Sequence, residues 1–205
     1  RAACDKLERF LPQAKNDIFR LYETTVAEYM NSAPDMLVVD VGGGRTCPFA
    51  RRRNPDSNAR IIAVDSSPQE LRENDQVDET MVADITRGLP FQDASVDMVV
   101  SRSVLEHLED IESFVADSRR VLKDGGYFIH LFPSRFAPFS LLNQALPNRV
   151  ARGLLFSLLP ETKGVGGFPA RYRKCYFDAV RRLVEENGFE VISLLASYYQ
   201  PGFFI

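Results

Sequence analysis

The 205-residue chain predicts an α/β fold, a doubly wound and mostly parallel sheet with helices on both faces. Three observations predict it. Short β-branched runs alternate with helical patterns, three successive runs end in an acid, and the first is followed by three glycines. Alternation of this kind implies parallel strands joined by crossover helices.

Each element can be justified in order. Residues 5–31 place Leu7, Phe10, Leu11, then Ile18, Phe19, Leu21, Tyr22, Val26, Tyr29 and Met30 at helical spacing, with Pro12 dividing two helical pieces. Residues 1–33 therefore read as an N-terminal helical cap. Strand one (36–41) is a β-branched run ending in Asp40-Val41, the pattern of a buried parallel strand. Gly42, Gly43 and Gly44 make the turn after it, and a short helix follows near 46–53. Strand two is 60–65. Ser67 then caps a helix with Pro68 in its first position. Strand three is 80–84 and strand four 95–101. An amphipathic helix spans 104–122 on Val104, Leu105, Leu108, Ile111, Phe114, Val115, Val121 and Leu122. Lys123-Asp124-Gly125-Gly126 reads as a turn before strand five (127–132). Residues 136–174 break the rhythm as a mixed apolar, basic and Gly/Pro-rich insertion, which forms a lid-like element on the substrate side. A helix at 176–187 and strand six at 189–199 complete a single domain, 1–205, of six or seven strands.

Composition narrows the function classes. A net charge of −3 argues against a general nucleic-acid binder, which carries a basic face. Cys4, Cys47 and Cys175 are scattered and odd in number, so they predict no disulfide framework and no metal site, and a reducing, cytoplasmic setting. No run reaches the ~20 apolar residues of a membrane span, and the charged N-terminal stretch does not read as a signal peptide. The chain opens on Arg1 and closes on Gly202-Phe203-Phe204-Ile205, as expected of a segment of a longer protein.

The chemistry concentrates at one rim. In open α/β sheets ligands bind beyond the carboxyl ends of the strands, and Asp40, Asp65 and Asp84 stand at three such ends. Glycine at the first allows positive φ and lets a ligand approach the backbone. Asp65, with two acceptor oxygens, suits the paired hydroxyls of a ribose. Asp is also a common turn and cap residue, a role that explains one such acid more readily than three in series. A dinucleotide fingerprint G-x-G-x-x-G/A would end on Cys47, and a phosphate-binding loop would need Gly-Lys-Ser/Thr, so neither pattern is met.

The order DVGGGRT, IIAVDSS, ADITRGLPFQDASVDMVVSRSVLEHLED and LKDGGYFIHLF resembles the class I S-adenosylmethionine-dependent methyltransferases, most closely the small-molecule, type 11-like subgroup that acts on quinone precursors and lipids. The likeness spans residues 36–132, and 175–199 more weakly. It implies a Rossmann-like fold and S-adenosyl-L-methionine as cofactor, leaving as S-adenosyl-L-homocysteine. Carried over by position, it places Asp40 and Gly42 to Gly44 at the methionine end of the cofactor. Asp65 falls on the ribose, Ser66 beside it near the adenine, Asp84 with Ile85 on the adenine edge, and Ser101 near the sulfonium and substrate. Thr46 stands where the family motif prefers a glycine. His107 is the expected catalytic base or substrate contact, the alternative being a backbone-bonding role; its neighbour Glu106 reads as a solvated helix residue. His130, inside strand five, reads as a satisfied core histidine.

The resemblance implies transfer of a methyl group to a small molecule by in-line displacement. A binding or regulatory protein that kept the cofactor fold and lost catalysis is the alternative, followed by a nucleic-acid or protein methyltransferase. Arg149, Arg152, Arg171, Arg173 and Lys174 give the 136–174 insertion a basic side that suits a phosphate or a peripheral membrane contact. Acceptor identity and oligomeric state are not encoded in any motif.

Overall fold

The computed structural model describes residues 18–146 and 169–195, with positions 150 and 153. Helix α1 (Ile18–Met30) precedes β1 (Leu37–Val41), β2 (Arg60–Asp65), α2 (Pro68–Arg72), β3 (Glu79–Val82), β4 (Val96–Arg102), α3 (Ile111–Val121), β5 (Leu122–Leu131), α4 (Pro138–Ala145) and α5 (Phe177–Glu186). The five strands pair in the order β3-β2-β1-β4-β5, all parallel. Reversal of strand order at β1/β4 puts a crevice at the carboxyl ends of those strands.

Successive strand residues point to opposite faces, and two apolar layers result. Val39, Val41, Ile62, Val64 and Val99 pack with Ile111, Phe114 and Val115 of α3 and Leu183 of α5. Val38, Ile61, Met98 and Val100 pack with Val26 and Met30 of α1, with Cys47 and with Phe49 of the 3₁₀ turn Pro48–Arg52. The spacing of Tyr22, Val26 and Met30 thus buries one face of α1 against the sheet. Burying one such aliphatic side chain contributes about 1.5–3 kcal/mol.

Several expectations need correction. The helix expected over 104–122 begins only at Ile111. The preceding residues form a 3₁₀ turn at Leu105–His107, because Asp110 caps α3 by accepting from Ser113 N at 2.9 Å. Burial of Leu105, Leu108 and Ile111 at a three-residue interval suits this turn as well as a helix, which is why the apolar spacing did not separate them. Strand three ends at Val82, so Asp84 is the cap of a 3₁₀ turn, Ile85–Arg87, and not a strand residue. The Lys123–Gly126 turn lies inside β5 as an irregularity: Val96 pairs with Leu122 and Met98 with Tyr127. Gly126 is required there, since a Cβ would lie 2.9 Å from Lys123 O.

Five strands, and not six or seven, are present among the described residues. Residues 189–195 are not a strand. Phe189 packs on Phe128 of β5 at 4.9 Å between ring centroids, but Ile192 and Leu195 are 70% and 65% exposed, so the apolar pattern found no ladder to join. Residues 196–199 of that expected strand lie outside the described residues, as do the helical piece before Pro12 and most of the 136–174 insertion.

Candidate functional site

The parallel register aligns the rim. Asp40 pairs with Ala63 of β2 and Val100 of β4, and Val41 with Val64 and Ser101. The chain then turns through Gly42 (φ +68°) and Gly44 (φ +45°). Gly42 N and Gly43 N both donate to Val64 O, at 2.7 and 3.3 Å, which fastens the turn to β2. A Cβ at position 42 would collide with Val104 Cγ2, and one at 43 would lie 2.7 Å from Ala63 Cβ. The turn is therefore closed to side chains on both sides and presents bare backbone.

Asp65 holds this turn. Its Oδ2 accepts from Gly44 N at 3.2 Å and its Oδ1 from Ser67 N at 2.8 Å. Each oxygen keeps lone-pair capacity for a further donor. Ser66 beside it is exposed. Two supports escaped the sequence reading. Buried Asn74 donates through Nδ2 to Gly43 O and Gly44 O at 3.2 and 3.0 Å, and Arg45 makes a two-pronged ion pair with Glu70 at 2.8 and 2.9 Å. An Asn or Glu some thirty residues from a glycine turn carries no local signal; only the adjacency of α2 to the turn brings them in.

Asp40 is buried beneath the turn. Burial pushes its carboxyl up to about 7, against the opposing effects of a Cys47 thiol hydrogen bond and of Arg102. The Tyr22 hydroxyl is buried with no hydrogen-bond partner among the described residues, and its pKa is raised by burial and then by Asp40. A carboxyl and a spare phenol oxygen under a bare backbone turn suit the positively charged end of a ligand.

Asp84 and Ile85 stand farther along the rim. Asp84 is exposed, and its Oδ1 accepts from Thr86 N and Thr86 Oγ1 at 3.0 and 2.6 Å; those bonds hold its carboxyl below the usual range. Capping thus occupies one of its oxygens. Ser101 is fully buried, and its Oγ is hydrogen-bonded to His130 Nδ1 at 2.6 Å. Burial drives His130 down to about 3, so it is neutral, and its Nε2 has no partner among the described residues. His130 is consequently only half satisfied.

His107 Nδ1 is hydrogen-bonded to Pro169 O at 3.2 Å, and burial lowers its pKa. Glu106 corrects the expectation of a solvated residue: it is 4% exposed, its Oε2 has no partner among the described residues, and burial raises its carboxyl to about 8. Overall the fold gathers Asp40, Gly42, Gly43, Gly44 and Asp65 at one turn, sets Asp84 and Ile85 on the neighbouring loop, and engages Ser101 and His107 with His130 and Pro169.

Comparison with known proteins matches residues 37–130 to the family described as a methyltransferase domain. The ubiquinone/menaquinone biosynthesis C-methyltransferase of Caulobacter vibrioides is 25% identical over 188 residues, covering 84% of this chain and 71% of that protein. The malonyl-[acyl-carrier protein] O-methyltransferase of Hahella chejuensis is 33% identical over 96 residues, covering 45% of this chain but only 34% of that protein. A crystal structure of an S-adenosylmethionine-dependent methyltransferase from Archaeoglobus fulgidus superposes with a TM-score of 0.60 at 16% identity, over 85% of this chain and 69% of that one. The last likeness is one of fold.

Proposed function

We propose that this chain, whose residues 37–130 match the methyltransferase-domain family, is a class I S-adenosylmethionine-dependent methyltransferase of the type 11 subgroup and methylates a small molecule bearing a nucleophilic oxygen, nitrogen or carbon. S-Adenosyl-L-methionine supplies a methyl group already activated on a sulfonium. The chain's own residues have to hold that group and the acceptor in line, and such positioning can provide about 7–11 kcal/mol of barrier lowering.

The glycine turn is the observation that carries this reading. Gly42 and Gly43 pack the turn tightly against Val104 and Ala63, Gly44 leaves space against bare backbone, buried Asp40 with the Tyr22 hydroxyl favours a cation, and Asp65 has lone pairs left for ribose hydroxyls. Ser66, Asp84 and Ile85 then fall to the adenine end; Ser101, buried and bonded to His130, lies behind the side of the reacting sulfur without serving the cofactor directly. The distant relatives named for quinone and malonyl acceptors support a small-molecule acceptor.

Calorimetry tests the cofactor assignment. S-Adenosylmethionine and S-adenosylhomocysteine should bind while NADH does not. Asp65→Ala should weaken both by about 10–100-fold, the worth of hydrogen bonds to a charged acceptor. Binding of NADH in preference to either would overturn the assignment. Transfer of a labelled methyl group to small molecules of a cell extract tests the activity itself.

A further inference from the structure

Glu106 is the buried carboxyl that the cofactor side does not use. It lies in the turn directly after β4, two residues past Val104, whose side chain closes over Gly42. The opposite wall is residues 169–176. Arg171 N and Tyr172 N both donate to Glu106 O, at 2.7 and 3.0 Å, and His107 Nδ1 bonds Pro169 O. Ion pairs from Arg171 to Glu109 and from Lys174 to Glu112 fasten the same two segments on the outside. Tyr172 and Lys174 both hold φ of +52°, a conformation costly for side-chain-bearing residues and sustained here by that clamp.

Among the described residues the groups facing Glu106 are few. His107 Nε2 is 3.8 Å from its Oε1, too far for a hydrogen bond. The Tyr172 phenol and Cys175 thiol are each raised by burial first and then, in part, by the Glu106 charge, while Arg135 acts on Cys175 in the opposite sense. Tyr172 Oη in turn accepts from Asn143 Nδ2 of α4 at 3.2 Å. None of these satisfies Oε2. An unsatisfied buried polar atom costs about 1–3 kcal/mol, so Oε2 favours a partner beyond the described residues.

We propose that Glu106 is the proton acceptor of the methyl transfer, so that the acceptor molecule reacts through a protonated nucleophile such as a phenol or hydroquinone and not through a carboxylate. The inference rests on the methyltransferase reading above. An acceptor carboxylate has no proton to lose and would meet the Glu106 charge unfavourably; a phenolic hydroxyl has a proton that Oε2 can take. In the step, the acceptor's X–H bond breaks and its proton passes to Glu106. The freed pair forms the bond to the methyl carbon, and the carbon–sulfur pair leaves with sulfur, which becomes neutral. Glu106 later yields its proton to solvent. His107, held at Pro169 O, is then a positioning residue for the clamp.

The raised carboxyl gives the assignment a pH signature: a base that ionises at about 8 makes turnover rise with pH through that value. The test uses the full chain, S-adenosylmethionine and two acceptor probes, a prenylated 1,4-naphthohydroquinone and a malonyl thioester, beside the labelled cell-extract assay. Wild type is expected to methylate the hydroquinone and not the malonyl probe. Glu106→Gln should lower its kcat by about 10²–10⁴-fold and abolish the rise with pH, with cofactor affinity unchanged. Glu106→Asp should recover part of the rate and the rise.

A readout independent of turnover accompanies these. Stability from the protonated Glu106 is complete below about pH 4 and is lost as pH rises to about 8, so the wild-type melting temperature should fall over that range relative to Glu106→Gln. Wild-type rate and pH profile in a folded Glu106→Gln, or malonyl turnover indifferent to it, would overturn the proposal alone. A wild type that binds the cofactor yet labels neither probe nor extract would overturn it together with the methyltransferase reading. A wild type that does not bind the cofactor would strike that reading first.

Discussion

At the β1–β2 part of the rim, Asp65 accepts from two backbone amides, Asn74 donates to two glycine carbonyls, and Arg45 engages both oxygens of Glu70. At the β4–β5 part, Glu106 Oε2 and His130 Nε2 are buried without partners among the described residues. The first region is internally bonded, and its one unpartnered buried group among the described residues, the Tyr22 hydroxyl, lies near Asp40. The second holds polar atoms that carry the cost of burial without a partner among the described residues. Such a difference separates a site that recognises one invariant molecule from a site that must do chemistry on another.

The largest effect should come from breaking the prebuilt side. Gly42→Ala sets a Cβ against Val104 and forces a positive φ on alanine, so we expect a loss of about 2–3 kcal/mol by urea denaturation and at least 100-fold weaker cofactor binding by calorimetry. An intact affinity would mean that the turn yields easily and the contrast between the regions is false.

A smaller effect sharpens the role of charge. Asp40 is held up at about 7 by burial, so its ionised form, which attracts a cation, gains ground as pH rises from 6 to 8. Affinity for S-adenosylmethionine should rise about tenfold over that interval and be flat in Asp40→Asn. For stability the sign is opposite: what the protonated Asp40 contributes is complete below about pH 4 and is lost on passing about 7.

Ser101→Ala should have the least consequence for the cofactor. It removes the hydroxyl at His130 Nδ1 and leaves that nitrogen unpaired, a loss of about 1–2 kcal/mol in denaturant, with cofactor affinity unchanged. A large loss of affinity would show that Ser101 serves the cofactor directly and would move it to the prebuilt side.

Legibility in the sequence follows the same division. The glycine turn, Asp65 and the strand alternation were readable because each is local: a β-branched run, a positive-φ residue and an acid at a strand end lie within a few residues of one another. Glu106 was misread because its burial depends on Arg171 and Tyr172, more than sixty residues away, whose amides hold its carbonyl. Helix α3 was drawn too long because a 3₁₀ turn and an α-helix both satisfy a three-residue apolar interval, and the Asp110 cap decides between them. Asp84 looked like a strand-end acid, yet Thr86 made it a cap. Residues 189–195 of the expected strand six have no ladder partner among the described residues, which periodicity in one segment cannot reveal.

The contact between position 42 and Val104 has a genetic consequence. Two positions that share one small volume cannot vary independently: enlarging the first is tolerated only when the second shrinks. Val104→Ala should therefore act as a partial suppressor of Gly42→Ala, relieving the steric share of the defect and leaving the share due to positive φ. A covarying small–large pair at these two places would be the trace of that constraint in descendants of this chain.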